Sequence, residues 1–193
     1  VKRKTKILKN IDQNEELETI NNQILEDFIN KKTKLHIDNR LYLRKMLLSN
    51  YKKSFEDINK IIDNKNIQKF VCNIDKNLKL IGITYTGKVF HINWESSINN
   101  DYKLDNKSLG NIDPNEIINF HSIKKGIKNY LCILNSDGRF KKVLFDKDMI
   151  NSNRSFAITK LKNNTKIIDS FISNEEKNLI ILTSIGRIFK FNL

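Results

Sequence analysis

The chain has 193 residues, which is long enough for one sizeable core or for a short array of small units. No apolar run approaches the roughly 20 residues that a membrane span needs, and the first residues do not resemble a signal peptide. The formal net charge of +13 favours a phosphate-bearing partner, but only six of the 35 basic residues are Arg, so AT-rich coding explains the excess of Lys equally well.

Cysteine and histidine usage excludes two further classes of site. Cys72 and Cys132 stand inside apolar stretches, which favours buried thiols over a disulfide. His36, His91 and His121 are scattered and no Cys pair has ligand spacing, so we expect neither a metal nor a cofactor.

The N-terminal residues differ from the rest of the chain. Because the chain begins at Val1 and not at Met, we expect it to be part of a longer protein. Residues 2–9 are basic and predict a disordered joint. The apolar residues between Leu17 and Phe28 have helical spacing, with Asp12 as an N-cap, and predict a short helix or an ordered linker.

The remainder is a repeat. Three segments align, at residues 67–92, 116–143 and 166–191, and a fainter copy lies at residues 33–46. Each segment has a β-rich stretch, a polar turn, a second strand, a tight turn and a third strand that opens with a base. The turn positions Asn39, Gly87, Gly138 and Gly186 are 48, 51 and 48 residues apart.

The residue types at the turn positions have a physical explanation. A tight hairpin needs a residue with a positive φ, which Gly adopts freely and Asn tolerates. The apolar runs at residues 80–83, 130–134 and 179–182 predict strands buried on both faces. We therefore predict an all-β, propeller-like array of about four hairpin repeats. An array of this class does not by itself imply a nucleic-acid partner.

Five segments of the chain match motifs of one known family in the same order. They are Arg3-Lys4-Thr5-Lys6-Ile7, Glu26-Asp27-Phe28-Ile29 followed by residues 34–44, the hairpin at residues 134–142, residues 154–157 with Leu161, and residues 180–191. With these segments the chain resembles the C-terminal domain of type IIA topoisomerase A subunits, as in DNA gyrase and topoisomerase IV.

The resemblance implies a β-pinwheel, a propeller-like disc whose blades exchange strands and which bends duplex DNA around a basic rim through phosphate and shape contacts. It implies a linker from a cleavage core at residues 1–23 and a DNA-binding domain at residues 24–193. The implied partners are double-stranded DNA, the catalytic core of the same subunit and its ATPase subunit. The implied parent is an ATP-dependent type II topoisomerase of the cytoplasm, in the bacterial nucleoid or alternatively an organellar stroma, with no membrane and no small-molecule substrate as partner.

Gyrase carries a glycine- and arginine-rich box after its first blade, and the corresponding residues 51–66 contain neither Gly nor Arg. This departure favours a divergent or topoisomerase IV-like domain over one that wraps DNA as gyrase does. The four repeats are also fewer than the six blades of gyrase, so we expect the disc to be open or to close differently.

Basic residues recur around the turns, and we expect them to form the DNA-binding surface along one rim. Arg40, Arg139 and Arg187 are the leading candidates because Arg is scarce here, stands at the same turn position three times, and has a planar fork that suits phosphate. Trp94, Tyr85 and Phe90 are interpreted as core residues and not as stacking platforms for bases. The full set of predicted DNA-binding residues is Arg40, Arg44, Lys45, Lys52, Lys53, Lys88, Arg139, Lys141, Lys142, Arg154, Arg187 and Lys190.

Catalysis by this chain is not expected. Strand passage in the family uses a Tyr preceded by Arg, and none of the five tyrosines has an Arg before it. The chain has no phosphate-cradling glycine loop and no acidic cluster suited to Mg²⁺. The alternative hypotheses are a propeller-like protein-interaction module without a DNA role, and a remnant that only supports the fold of its parent.

Overall fold

The structure, a computed structural model, describes residues 19, 22–24, 26–27, 29–30, 33–47, 68–97, 101–105, 107–152, 154–162, 164–173 and 178–192. Short antiparallel strands dominate this part of the chain, which confirms the all-β prediction. The described positions between residues 19 and 30 are helical. The strands are β1 (Thr33–Asp38), β2 (Tyr42–Leu47), β3 (Gln68–Asn73), β4 (Leu78–Thr84), β5 (Lys88–Ile92), β6 (Tyr102–Lys103), β7 (Ile117–Lys124), β8 (Asn129–Asn135), β9 (Phe140–Phe145), β10 (Phe156–Ala157), β11 (Ile167–Ser173), β12 (Asn178–Leu182) and β13 (Ile188–Asn192).

The chain divides into two compact units, the first made of residues 1–76 and 94–103 and the second of residues 77–93 and 104–193. The first unit contains a four-stranded sheet in the order β3-β1-β2-β6. The second contains sheets in the orders β10-β5-β4-β7, β11-β8-β9 and β12-β13. Each sheet is built on one hairpin, and the hairpins β1–β2, β4–β5, β8–β9 and β12–β13 confirm the predicted repeat.

The strand that precedes a hairpin pairs with a different hairpin. β3 precedes β4 but pairs with β1, β7 precedes β8 but pairs with β4, and β11 precedes β12 but pairs with β8. The short strands β6 and β10 do the same on the other edge, since each follows one hairpin and pairs with the second strand of the hairpin before it. Each of these hairpins thus receives its flanking strands from the next repeat, which is the strand exchange of a β-pinwheel.

The second unit has its core between the sheets built on β4–β5 and β8–β9. The side chains that meet there are almost completely buried, and each contributes roughly 1.5–3 kcal/mol through the apolar surface it removes from water. They include Ile81, Ile83 and Val89 from the first sheet and Leu131, Ile133 and Phe145 from the second. In the first unit, Leu35, Ile37 and Leu43 are buried in the same way.

Strands β7 and β11 flank different hairpins, and polar side chains link them. The Asn119 side-chain amide donates to Asp169 Oδ1 at 2.9 Å and to Ser170 Oγ at 3.1 Å. His121 Nε2 lies 2.9 Å from Ser170 Oγ. Burial lowers the pKa of His121 to about 4, against a smaller opposing effect of Asp169, so the ring is neutral at pH 7.

The last hairpin differs from the others. Its apolar run at residues 179–182 predicts a strand buried on both faces, and this prediction is wrong. Ile180 is 65% exposed and Leu182 is 69% exposed, and Ile188, opposite Leu182 on β13, is also 69% exposed. Among the described residues, no strand flanks β12 or β13, and these three side chains stay largely exposed.

Candidate nucleic-acid interface

The four hairpins share one five-residue turn. The strand pairs that close it are Ile37 with Leu43, Ile83 with Val89, Leu134 with Phe140, and Leu182 with Ile188. In every turn the fourth residue has a positive φ, and its N–H donates to the carbonyl of the first residue at 3.0 Å. The fourth residues are Leu41, Gly87, Gly138 and Gly186, with φ of 62°, 86°, 81° and 77°.

In three of the four turns the side chain of the first residue accepts a hydrogen bond from the N–H of the fifth. Thr84 Oγ1 accepts from the Lys88 N–H at 3.0 Å, and Thr183 Oγ1 accepts from the Arg187 N–H at the same distance. In the third turn the Arg139 N–H donates to Asp137 Oδ1 at 3.2 Å. A short side chain with an acceptor oxygen satisfies this N–H where no strand can reach it, which is the physical reason for the Thr-x-x-Gly pattern.

The first turn corrects one prediction. Leu41, and not Asn39, occupies the position of the glycines. Leu is strained at positive φ, but its side chain is 7% exposed, so burial holds the residue there. Asp38 Oδ1 accepts from the N–H groups of both Arg40 and Tyr42 at 2.9 Å, which fixes the turn without a glycine.

The register also separates Arg40 from the two other leading arginines. Arg139 and Arg187 are the fifth residues of their turns, and the equivalent residue of the first turn is Tyr42. Arg40 stands two positions earlier. The prediction that Arg40, Arg139 and Arg187 share one turn position is therefore wrong, because the first turn was aligned on Asn39. Arg40 is nonetheless exposed at the tip of its own turn.

The fifth position carries an exposed cation in all three turns of the second unit. Lys88, Arg139 and Arg187 occupy it. The Arg139 side chain is 58% exposed, and its Nε lies 3.4 Å from Asp137 Oδ2 within the same turn. An exposed pair of this kind contributes little stability and is readily exchanged for another anion.

The second and third turns lie side by side, because two consecutive residues of the chain bind them both. The Ser136 N–H donates to the Lys166 carbonyl at 2.8 Å, and the Ile167 N–H donates to the Tyr85 carbonyl at 2.9 Å. The Lys166 ammonium lies 4.8 Å from the centroid of the Tyr85 ring. Lys88 and Arg139 thus belong to adjacent turns, with a further exposed cation, Lys166, beside both.

Lys166 was not among the predicted site residues. The repeat marks its position beside the preceding turn, since Lys166 aligns with Glu116, whose carbonyl accepts from the Tyr85 N–H at 2.8 Å, but the aligned acid gave no signal for a cation. Lys141 also approaches this pair of turns. Its Nζ lies 3.5 Å from Thr159 Oγ1, next to Gly87, whose carbonyl accepts from the Ile158 N–H.

The remaining predicted cations of the second unit are more dispersed. Lys142 lies half-buried on β9, with its Nζ 4.2 Å from the centroid of the Tyr130 ring. Lys190 is exposed on β13. Arg154 is exposed before the short strand β10, so the segment that resembles the family motif at residues 154–157 serves to flank β5.

Two predicted cations of the first unit are engaged within their own sheet. Arg44 NH1 lies 3.5 Å from Asp38 Oδ2, and Arg44 Nε lies 3.0 Å from Asp101 Oδ2. Lys45 is half-buried, and burial lowers its pKa. Both residues are less available to an outside anion than the exposed turn cations. Lys52 and Lys53 lie outside the described residues, as does the stretch at residues 51–66 that would hold a gyrase-type box.

The prediction of core residues is confirmed for Trp94 and Phe90, which are each 2% exposed and pack in the interior. Tyr85 is half-buried. Neither cysteine forms a disulfide, and burial raises the pKa of Cys72 to about 12. The described residues contain no group of three potential ligands that could hold a metal ion. No helix in the part of the chain described here is long and apolar enough to cross a membrane.

Comparison with known proteins identifies the architecture. No family model and no curated protein sequence matches the chain. Solved structures do match. They include the C-terminal domain of DNA topoisomerase IV (TM-score 0.57, 17% identity, covering 83% of this chain and 51% of that one), the Escherichia coli ParC C-terminal domain (0.57, 14%, 82% and 64%) and the DNA gyrase A C-terminal domain (0.53, 14%, 83% and 54%).

The chain thus spans between half and two thirds of the length of these neighbours. At this level of identity the likeness concerns the fold. The strand exchange between repeats, the shared turn and the structural neighbours agree, and the chain has the β-pinwheel fold of the C-terminal domains of topoisomerase IV and gyrase A.

Proposed function

We propose that this chain is a sequence-independent DNA-binding and DNA-bending domain of a type IIA topoisomerase A subunit. Its parent would be an ATP-dependent type II topoisomerase acting in the cytoplasm, where the domain would assist supercoiling or relaxation. The chain's own partner would be duplex DNA, and the parent would supply the catalytic core and the ATPase subunit.

One observation carries the proposal. The fifth residue of the repeated turn is an exposed cation in each of the three turns of the second unit, namely Lys88, Arg139 and Arg187. A structural array needs no cation there, since the turn is held by its backbone and by the first side chain. A recurring cation at one turn position presents positive charge at a regular interval, which suits a phosphate backbone.

The adjacent second and third turns add Lys166 and Lys141 to the candidate interface. We propose that Lys88, Arg139, Lys141 and Lys166 form its centre, which we call the paired-turn site. Base edges play no part in it, because cations at turn tips bind phosphates and leave the sequence of the duplex unread. Arg154, Lys142, Arg187 and Lys190 would add peripheral charge, and Arg40 would be the corresponding exposed turn cation of the first unit.

The test replaces Lys88, Arg139 and Arg187 with Glu and measures binding of a fluorescent duplex by anisotropy over a series of salt concentrations. The matched control replaces the exposed Lys107, Lys125 and Lys147 with Glu, which gives the same net charge (13 − 6 = +7) away from the turn positions. We expect the affinity of the turn variant to fall about tenfold or more, and its salt slope to decrease by roughly 0.9 for each phosphate that the variant no longer neutralises.

Equal losses of affinity in the two variants would show that DNA binding depends on the net charge of the chain and not on the turn positions. No loss in either variant would favour the protein-interaction module. Bending is tested separately by ligating nicked circular DNA on the domain and counting the trapped supercoils. Because residues 51–66 contain no Gly and no Arg, we expect fewer positive supercoils than a gyrase domain traps.

A further inference from the structure

The third turn, residues 135–139, is held by a different side chain from the other three turns. Elsewhere the side chain of the first residue accepts a hydrogen bond from the N–H of the fifth. Here the acceptor of the Arg139 N–H is Asp137 Oδ1, at 3.2 Å, which belongs to the third residue. The first residue is Asn135, whose Oδ1 atom is buried and has no hydrogen-bond partner among the described residues. The acceptor that the other turns use is therefore present in this turn but not engaged.

This exchange of acceptors places a carboxylate at the tip of the third turn. The third residues of the other turns are Arg40, Thr86 and Ile185, so Asp137 is the only acid at this position of the four turns. Its Oδ2 atom lies 3.4 Å from Arg139 Nε. One carboxylate thus contacts both the N–H and the guanidinium of Arg139 and offsets the charge of a cation that belongs to the paired-turn site.

A DNA phosphate at the paired-turn site would meet this carboxylate. The exposed Lys88, Lys141 and Lys166 attract the phosphate. Asp137 repels it and occupies the Nε side of the Arg139 guanidinium. Arg139 presents its whole planar fork to a phosphate only when Asp137 has moved away. An exposed ion pair is weak enough for this exchange.

Asn135 allows that movement without leaving a backbone group unpaired. When Asp137 moves, the Arg139 N–H loses its acceptor, which costs free energy unless another oxygen replaces it. Asn135 occupies the turn position whose side-chain oxygen accepts this bond in the other three turns. The third turn therefore has two alternative acceptors for one N–H, and only one of them competes with a phosphate for the guanidinium.

We propose that Asp137 regulates the paired-turn site as an internal competitor for DNA phosphate, a role that rests on the DNA binding proposed for this chain. In the free chain Asp137 pairs with Arg139. In the complex a phosphate takes the guanidinium, and Asn135 accepts from the Arg139 N–H. The competitor lowers the affinity at one point of the interface, so bound DNA is exchanged there more readily than an unpaired arginine would allow.

The test is Asp137→Asn, with binding of a fluorescent duplex measured by anisotropy at low salt. Asn keeps a side-chain oxygen for the Arg139 N–H and removes the negative charge. We expect the affinity to rise about two- to fivefold, the range that exposed ion pairs span, and the gain to shrink as salt rises. Circular dichroism checks that the fold is retained.

The matched control is Asp148→Asn. It changes an exposed acid of the same unit and gives the same net charge (13 + 1 = +14) away from the turn. We expect its affinity to stay within about 1.5-fold of that of the wild type, because salt screens a charge that lies away from the bound phosphates.

An Arg139→Gln background tests whether the effect passes through Arg139. We expect Asp137→Asn to raise the affinity no more than the control does in this background, because no guanidinium remains to be released. A gain of the same size in both backgrounds would overturn the competition for Arg139.

Equal gains from Asp137→Asn and Asp148→Asn would overturn the proposal in favour of net charge. A loss of affinity in Asp137→Asn would also overturn it, by showing that the carboxylate positions Arg139 for phosphate. Both results leave DNA binding by the chain intact. A wild-type chain that binds no duplex would instead overturn the DNA-binding function itself, and this regulation with it.

Discussion

The hairpins β4–β5 and β12–β13 belong to the same compact unit and have the same turn, yet their side chains have opposite environments. Ile81, Ile83 and Val89 are completely buried, whereas their equivalents Ile180, Leu182 and Ile188 are about two thirds exposed. Both turns carry the same hydrogen bond from the fourth N–H to the first carbonyl.

This difference shows that turn formation and side-chain burial depend on different parts of the chain. The turn forms from five consecutive residues and needs no neighbour. Burial needs two flanking strands and a facing sheet, all of which come from another repeat. β4–β5 receives β7 and β10, whereas β12–β13 receives no flanking strand among the described residues. Stability in this fold is therefore a property of neighbouring repeats, as in other repeat proteins.

The largest expected contrast comes from the same substitution at two equivalent positions. Ile81→Ala should cost about 2–5 kcal/mol, because it leaves a cavity between two packed sheets. Ile180→Ala should cost less than about 0.5 kcal/mol in the monomer, because the side chain is already in water. Urea unfolding at low protein concentration measures both, and similar losses of stability would contradict the difference in burial.

Acid should weaken the part of the unit that has flanking strands. His121 on β7 is held near Ser170 on β11, and burial lowers its pKa to about 4. In the unfolded chain the imidazole of His121 binds a proton near pH 6.5, whereas in the folded chain it stays neutral down to about pH 4. The stability that the neutral ring contributes is therefore fully present above pH 6.5 and is lost as the pH falls towards 4.

The loss of stability that His121 contributes should be at most about 3 kcal/mol. His121→Gln keeps a side-chain donor for Ser170 and removes the titration. We expect the stability of this variant, measured by urea unfolding at several pH values, to fall less on acidification than that of the wild type. An unchanged pH profile would assign the acid sensitivity to other groups, such as the buried His36 and the half-buried His91, whose pKa values burial also lowers.

A smaller effect is expected at Gly82, which lies opposite Phe90 in the β4–β5 hairpin. A Cβ at this position would lie 2.2 Å from Phe90 Cζ, and Phe90 is 2% exposed, so Gly82→Ala should cost about 1–3 kcal/mol by overpacking. The equivalent residue in the last hairpin is Ile181, which lies opposite Phe189. Adding Phe90→Leu should recover part of the stability in a double-mutant cycle, and strict additivity would show that the two residues do not clash.

The smallest contrast concerns the turn itself. Thr84→Val removes the acceptor of the Lys88 N–H in a buried position and should cost about 1 kcal/mol. Thr183→Val removes the matching acceptor of the Arg187 N–H where water can replace it, and should cost only a few tenths of that amount. Chemical unfolding of the two variants measures the difference, and equal costs would mean that the turns are equally solvated.

Much of this fold follows from the sequence because the repeated turn is a local feature. A residue with positive φ after an oxygen-bearing side chain marks each hairpin, and three of the four positions carry Gly. The first turn was misaligned by two residues because the preference of Asn for positive φ is stronger than that of Leu. The burial that holds Leu41 in that conformation depends on tertiary contacts, which periodicity does not encode.

The candidate interface was predicted less completely, for the same reason. The exposed turn cations Lys88, Arg139 and Arg187 follow from the repeat. Arg44 is also a basic residue close to a turn, so the sequence alone does not distinguish it from these cations. Its ion-pair partner Asp101 stands 57 residues away, so the ion pair cannot be recognised from the sequence. The exposed strand β12 was predicted as buried because its apolar run is the same as in β4 and β8, and only the missing flanking strands distinguish it.

The exchange of strands has a consequence for how the chain matures as it is synthesised. The sheet built on β1–β2 is complete only when β6 at Tyr102–Lys103 has been made, and the sheet built on β4–β5 waits for β10 at Phe156–Ala157. Each repeat therefore stays incomplete for the time that the ribosome takes to make one more. A pause in translation within one repeat would leave the apolar surface of the repeat before it exposed.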